Sequence, residues 1–334
     1  MKFGAFDHID ANGMSVGAQY RQRLALVERY EALGFHCYHL AEHHATQLGM
    51  APSPGIFLAA VAQRTTTLRF GPLVYLLPLH HPVRLLEEIG MLDQMSGGRL
   101  QIGIGKGGQS AEHSRFGIDP AELEARFEEC FEILQKGLTG DLSAHQGRFY
   151  TLPDVPLPVR PLQRPHPPLW YGTGSPARAD WAARHGINLM SHLPDPRTRA
   201  ISDAFREALD RHGRTGAARP FMGVARQITV APTDAEAERI AERAWLRFAV
   251  SFNWLVNRLG RPAFPLPETF AAARDYGMAF AGSPASVRDW VARTREAAGV
   301  DYLVAELVFG DQSEAEATQC VELFGREVMP AFVD

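Results

Sequence analysis

The chain has 334 residues, 46% of them hydrophobic and 22% charged, with a net charge of -4. It is long and apolar enough for a large soluble core, and its charges are interspersed, so neither a nucleic-acid-binding face nor a polybasic membrane segment is expected. No run approaches the roughly 18 apolar residues of a membrane span, and Met1-Lys2-Phe3-Gly4-Ala5-Phe6-Asp7 lacks the apolar core of a signal peptide, so a cytoplasmic location is expected.

Short apolar, β-branched or aromatic runs alternate with amphipathic helical patterns, the signature of βα units and a parallel sheet. In chain order the predicted strands are 2–6, 37–42, 68–76, 100–104, 169–172, 187–191, 221–231 and 302–309. Eight strands in one chain of this length predict a single (β/α)8 TIM barrel spanning residues 1–334. The helices between carry core stripes, such as Leu24, Val27, Tyr30 and Leu33 in the first and Val287, Trp290 and Val291 in the last but one. Two segments break the repeat and read as insertions after strands 4 and 7: the proline-rich 141–168, and 251–280 with Phe252, Trp254, Phe264 and Phe270. Active sites of such barrels lie at the C-terminal ends of the strands, so both insertions are expected over the mouth. Cys37, Cys130 and Cys320 are isolated from one another and read as reduced packing residues.

The second predicted strand ends on Glu42-His43-His44, with His39 three residues before Glu42. An imidazole with its ordinary pKa near 6.5 donates and accepts protons close to neutral pH. Downstream come Pro78-Leu79-His80-His81-Pro82-Val83-Arg84, then Leu92-Asp93-Gln94-Met95-Ser96-Gly97-Gly98-Arg99, then Gly103-Ile104-Gly105-Lys106-Gly107-Gly108. Glu-His-His followed by these three segments in this order resembles the bacterial luciferase-like flavin-dependent monooxygenases.

The resemblance implies an FMN enzyme that takes reduced flavin (FMNH2) from a separate reductase. With O2 it would oxygenate a small organic substrate through a flavin C4a-(hydro)peroxide. His43 takes the family position of the essential acid/base and Glu42 that of a carboxylate near the flavin. Leu73 and Val74 take the position of a cis peptide under the isoalloxazine, Lys106 that of a basic phosphate contact. Gly105 falls where light-emitting members carry a cysteine, which argues against bioluminescence.

Glycines in Gly105-Lys106-Gly107 admit a close backbone approach to a ring or phosphate. Gly172-Thr173-Gly174-Ser175-Pro176 is a second phosphate candidate, with Ser175 also suited to cap the following helix. Asp93 and Arg99 are expected to tie together the turn between helix and strand. Phe6, His8, His192, Phe252 and Trp254 are the expected substrate walls, apolar with a few polar groups. His39 and His44 read as structural. The resemblance also implies a homodimer formed through early helices. Two alternatives stand beside this reading: an F420-dependent oxidoreductase of the same fold, and a metal-dependent barrel hydrolase using His39, Glu42, His43 and His44.

Overall fold

The computed structural model describes residues 1–216 and 219–332. The strands are β1 (Lys2–Asp7), β2 (Cys37–Leu40), β3 (Arg69–Pro72), β4 (Tyr75–Leu76), β5 (Ile102–Gly105), β6 (His145–Gln146), β7 (Thr151–Leu152), β8 (Leu169–Gly172), β9 (Asn188–Ser191), β10 (Met222–Val230), β11 (Ala279–Gly282) and β12 (Tyr302–Glu306). The main helices are α1 (Val16–Ala32), α2 (Pro54–Arg64), α3 (Pro82–Met95), α4 (Ser110–His113), α5 (Leu123–Thr139), α6 (Ala179–His185), α7 (Asp195–Arg211), α8 (Asp234–Arg258), α9 (Phe270–Tyr276), α10 (Pro284–Ala298) and α11 (Glu314–Leu323).

All pairings in the main sheet are parallel, in the order β3-β2-β1-β12-β10-β9-β8-β5-β4. A parallel bridge between Phe70 and Leu100 closes the ring at the β3–β5 seam. With helices outside and side chains filling the inside, the strands are buried almost throughout, as the unbroken apolar runs foretold. Inside the barrel Phe6, Ala41, Leu73, Trp170, Met190, Ala225, Tyr302 and Val304 pack together. Cys37, Cys130 and Cys320 are buried and free. No helix among the described residues is long and apolar enough to cross a membrane.

The structure departs from the sequence-based elements at three places. The single strand expected over 68–76 is broken: β3 stops at Pro72, a cis Leu73–Val74 peptide follows, and β4 resumes at Tyr75. Close approach of β5 shapes this seam. A Cβ on Gly71 would lie 1.8 Å from the Gln101 carbonyl oxygen, one on Gly103 2.4 Å from that of Pro72, and one on Gly105 2.5 Å from Val74 Cγ2. Glycine is therefore required there for backbone packing, a role the flavin-approach reading of the run did not include.

The 141–168 segment does not cover the mouth. It follows α5 and runs along the barrel flank: Glu129 on α5 accepts hydrogen bonds from the backbone N–H groups of Arg148, Phe149 and Tyr150, and Asp93 on α3 accepts from Gln163 N and Nε2. Asp93 is thereby spent on Gln163. Arg99 instead reaches the end of α2, donating to the carbonyls of Ala62 and Thr65, so the expected Asp93–Arg99 tie is absent.

The 251–280 segment is only partly an insertion. Its first eight residues complete α8, and its last residues enter β11, which pairs with Gln227–Val230 of β10. α8 does lie over the mouth: Arg247 Nε donates to the Ala11 carbonyl at 2.9 Å, and Phe248 packs on His8 and Phe309.

Candidate active site at the barrel mouth

The strand ends bring His43, His8, Glu112 and Glu306 together. His43 Nδ1 lies 2.8 Å from Glu112 Oε1. Glu112 is buried at 1% exposure on the short α4 that follows β5. A carboxylate only accepts, so Nδ1 carries the proton and Nε2 is left as the basic nitrogen, without a hydrogen-bond partner among the described residues. His43 stacks on His8, ring centroids 5.5 Å apart.

His8 Nδ1 in turn lies 2.6 Å from Glu306 Oε1 at the end of β12. Burial, with a smaller contribution from His43, pushes the His8 pKa down to about 3, and burial pushes the Glu306 carboxyl well above its usual range. Both shifts favour the uncharged form of each partner. Two non-glycine residues adopt positive φ beside these groups, Ile9 at 50° and Ala45 at 54°. Such conformations are uncommon outside glycine and collect at functional sites.

Glu42 sits behind His43, 2% exposed. Its Oε1 accepts from His44 Nε2 at 2.7 Å and His80 Nε2 at 2.9 Å, and its Oε2 from Leu76 N at 2.9 Å. Burial alone would raise this carboxyl; the bonds from His44 and His80 outweigh it and hold the pKa at about 2. Glu42 thus clamps the chain just past Leu73–Val74 to the end of β2. His39 is buried deeper, its Nε2 2.9 Å from the Tyr302 hydroxyl.

The rim near β5 and β8 carries two cations, each paired with a carboxylate. Parallel pairing of Ile104 with Tyr171 places the loops after the two strands side by side. Lys106 follows β5 and Arg178 closes the turn after Ser175. Lys106 Nζ is 2.5 Å from Glu124 Oε2, and Arg178 Nη2 bonds both Glu124 and, at 2.5 Å, Glu128. Thr173 and Ser175 fold the turn on itself: Thr173 Oγ1 donates to the Ser175 carbonyl at 2.8 Å, and Ser175 Oγ accepts from Ala177 N. Gly174 is exposed beside them, and Gly107 takes a φ of +83° below His113.

A cavity of about 30 Å³ is lined by Phe6, His192, Ala225, Arg226, Gln227, Met278 and Glu306. Gln227 Nε2 is buried there without a partner. Phe252 packs on Phe248, on the helix face towards His8. Trp254 does not share that face: it packs with Ala111, Leu255 and Val256, under the Arg258 guanidinium. Of the two aromatics of the 251–280 segment among the expected substrate walls, Phe252 lies on the face towards His8 and Trp254 does not. A depression of about 740 Å³ between α5, α6 and the β6–β7 hairpin contains none of these groups.

Sequence reasoning missed Glu112, Glu306, Gln227 and Arg178. Arg178 stood four residues beyond Gly174, and its charge beside a candidate anion loop was a usable signal. The other three carry none, because only barrel closure makes them neighbours of His43 and His8. The imidazoles of the metal reading diverge: His39 to Tyr302, His43 to Glu112, His44 to Glu42. Among the described residues no three His, Cys, Asp or Glu side chains converge as metal ligands.

The parallel barrel, with a histidine–carboxylate pair at its strand ends, is of the (β/α)8 class. The family model described as luciferase-like monooxygenase matches residues 1–302, and the chain belongs to that family. It is 43% identical over 314 residues to the uncharacterized protein y4wF of Sinorhizobium fredii, covering 93% of this chain and 91% of that one. It is 28% identical over 264 residues to the oxygenase component of flavin-dependent trigonelline monooxygenase from Acinetobacter baylyi, covering 77% and 72%. The crystal structure of monooxygenase RslO1 from Streptomyces bottropensis superposes with a TM-score of 0.90 over 100% of both chains, at 26% identity.

Proposed function

We propose that this protein is the oxygenase of a two-component system: it takes reduced FMN from a separate flavin reductase and uses it with O2 to oxygenate a small, largely apolar organic molecule. The observation that carries this reading is the His43–Glu112 pair at the barrel mouth, beside a rim with two cations. The trigonelline relative, named as an oxygenase component, supports the division of labour.

The residues present fit a flavin. Lys106 and Arg178 suit its phosphate, a dianion. Next to them the buried Gln109 amide has neither end hydrogen-bonded, and His113 Nδ1 is likewise unpartnered; both are free to meet the polar edge of a ring system. Leu73, Val74 and Gly105 would lie beneath that ring. Reduced flavin, when bound, supplies the two electrons that activate dioxygen. His43 Nε2 holds or gives the proton this chemistry needs, with Glu112 fixing its tautomer. α8, with Phe248 and Phe252, excludes water, and Phe6, His8 and His192 position the substrate.

Anaerobic mixing with reduced FMN and, separately, reduced F420, followed by O2, tests this. The expected result is binding of FMNH2 and reoxidation of the bound flavin slower than that of free FMNH2. Binding of reduced F420 alone would move the protein to the hydride-transferring members of the fold, and binding of neither would overturn the proposal.

The homodimer is proposed through α2 and α3. Ile56 is 78% exposed, and the exposed Met91, Met95 and Val159 line the same depression. A contiguous apolar surface of this kind marks an interaction site on a soluble protein. Ile56→Asp is expected to convert a sedimenting dimer to monomer; an unchanged sedimentation coefficient would place the interface elsewhere.

A further inference from the structure

We infer that Glu124 is an internal competitor for the anion-binding rim, so that this chain holds the phosphate of its flavin weakly by construction. The inference rests on the flavin reading above and concerns how that site sets its affinity. Lys106 and Arg178 are the two cations at the adjoining ends of β5 and β8, and neither is free. Glu124 spans them, Oε2 to Lys106 Nζ at 2.5 Å and Oε1 to Arg178 Nη2, while Glu128 takes a second contact to Arg178 at 2.5 Å. The four charges cancel, so an arriving phosphate meets a neutral cluster.

Glu124 can be displaced. It lies in the first turn of α5 with its side chain 54% exposed, so its carboxylate can swing into water with little desolvation penalty, and partly exposed ion pairs of this kind are weak. A phosphate dianion brings three acceptor oxygens to the same donors and outcompetes one carboxylate, but only by the difference between the two interactions. That difference suits a flavin that arrives reduced and leaves oxidised on every turnover. Glu128 touches only Arg178 and is the smaller competitor.

The experiment is equilibrium titration of the full chain with oxidised FMN and with riboflavin, which lacks the phosphate, followed by flavin fluorescence at two salt concentrations. Glu124→Gln is expected to tighten FMN about fivefold, the size of one partly exposed charge contact, and to leave riboflavin unchanged. The gain should shrink at high salt. Glu128→Gln should give a smaller gain, and Lys106→Met should bring FMN down towards riboflavin. Unchanged or weaker FMN binding by Glu124→Gln, or an equal gain for riboflavin, would overturn the competitor role while leaving the flavin reading intact. Failure of both oxidised flavins to bind any of the proteins would overturn the competitor role, and failure of reduced FMN in the anaerobic titration would overturn the flavin reading with it.

Discussion

Glu42→Ala is expected to lower the unfolding free energy by about 3 kcal/mol, because it strips a buried carboxylate from three donors and leaves His44, His80 and Leu76 N without their acceptor. The check is the urea midpoint of the variant against the parent; an unchanged midpoint would mean that the clamp contributes nothing. The same site sets a pH dependence. Depression of the Glu42 pKa from 4.5 to about 2 gives stability that is fully present above about pH 4.5 and lost as pH falls towards 2, worth about 3 kcal/mol at one pKa unit per 1.36 kcal/mol.

His80 works in the opposite sense. Burial lowers its pKa, but the Glu42 hydrogen bond and charge outweigh this and raise it above 6.5. Its contribution is complete below that value and fades as pH rises through the folded pKa. The parent should thus lose stability on both sides of a window between about pH 4.5 and 6.5, and Glu42→Ala should flatten both slopes.

His43→Ala is expected to cut oxygenated product per reduced FMN supplied by about 10²- to 10³-fold, the range for losing a positioned general acid or base. Binding of reduced FMN in anaerobic titration should change by less than about threefold, since the loss falls on proton transfer and the cations of the rim are untouched. Glu112→Gln should retain His43 and lose about tenfold, with its pH profile displaced, because an amide no longer fixes Nδ1 as the donor. Equal product yield from His43→Ala and the parent would remove His43 from the chemistry.

Much of the fold was legible in the sequence because parallel strands buried on both faces must be apolar runs and the helices between them must carry a stripe. The broken third strand was not: Leu68 to Leu76 is apolar but for Arg69, and what interrupts it is the approach of Gln101 and Gly103 from the neighbouring segment. Likewise 141–168 follows a strand-helix unit in sequence, yet its backbone donors find Glu129 and Asp93 on the outer helices, which draws it down the flank.

Of the site, the sequence by itself determined the barrel, the histidines at the end of β2 and the lysine after β5, because residue type and place along a strand suffice for these. Only the tertiary structure decided which partners they meet. Glu112 joins His43 from a position 69 residues away and Glu306 joins His8 across 298, and Glu124 reaches between Lys106 and Arg178. Ring closure brings distant strand ends within hydrogen-bonding range, and the balance of burial against the hydrogen bonds made there, rather than residue type alone, fixes which groups keep their charge.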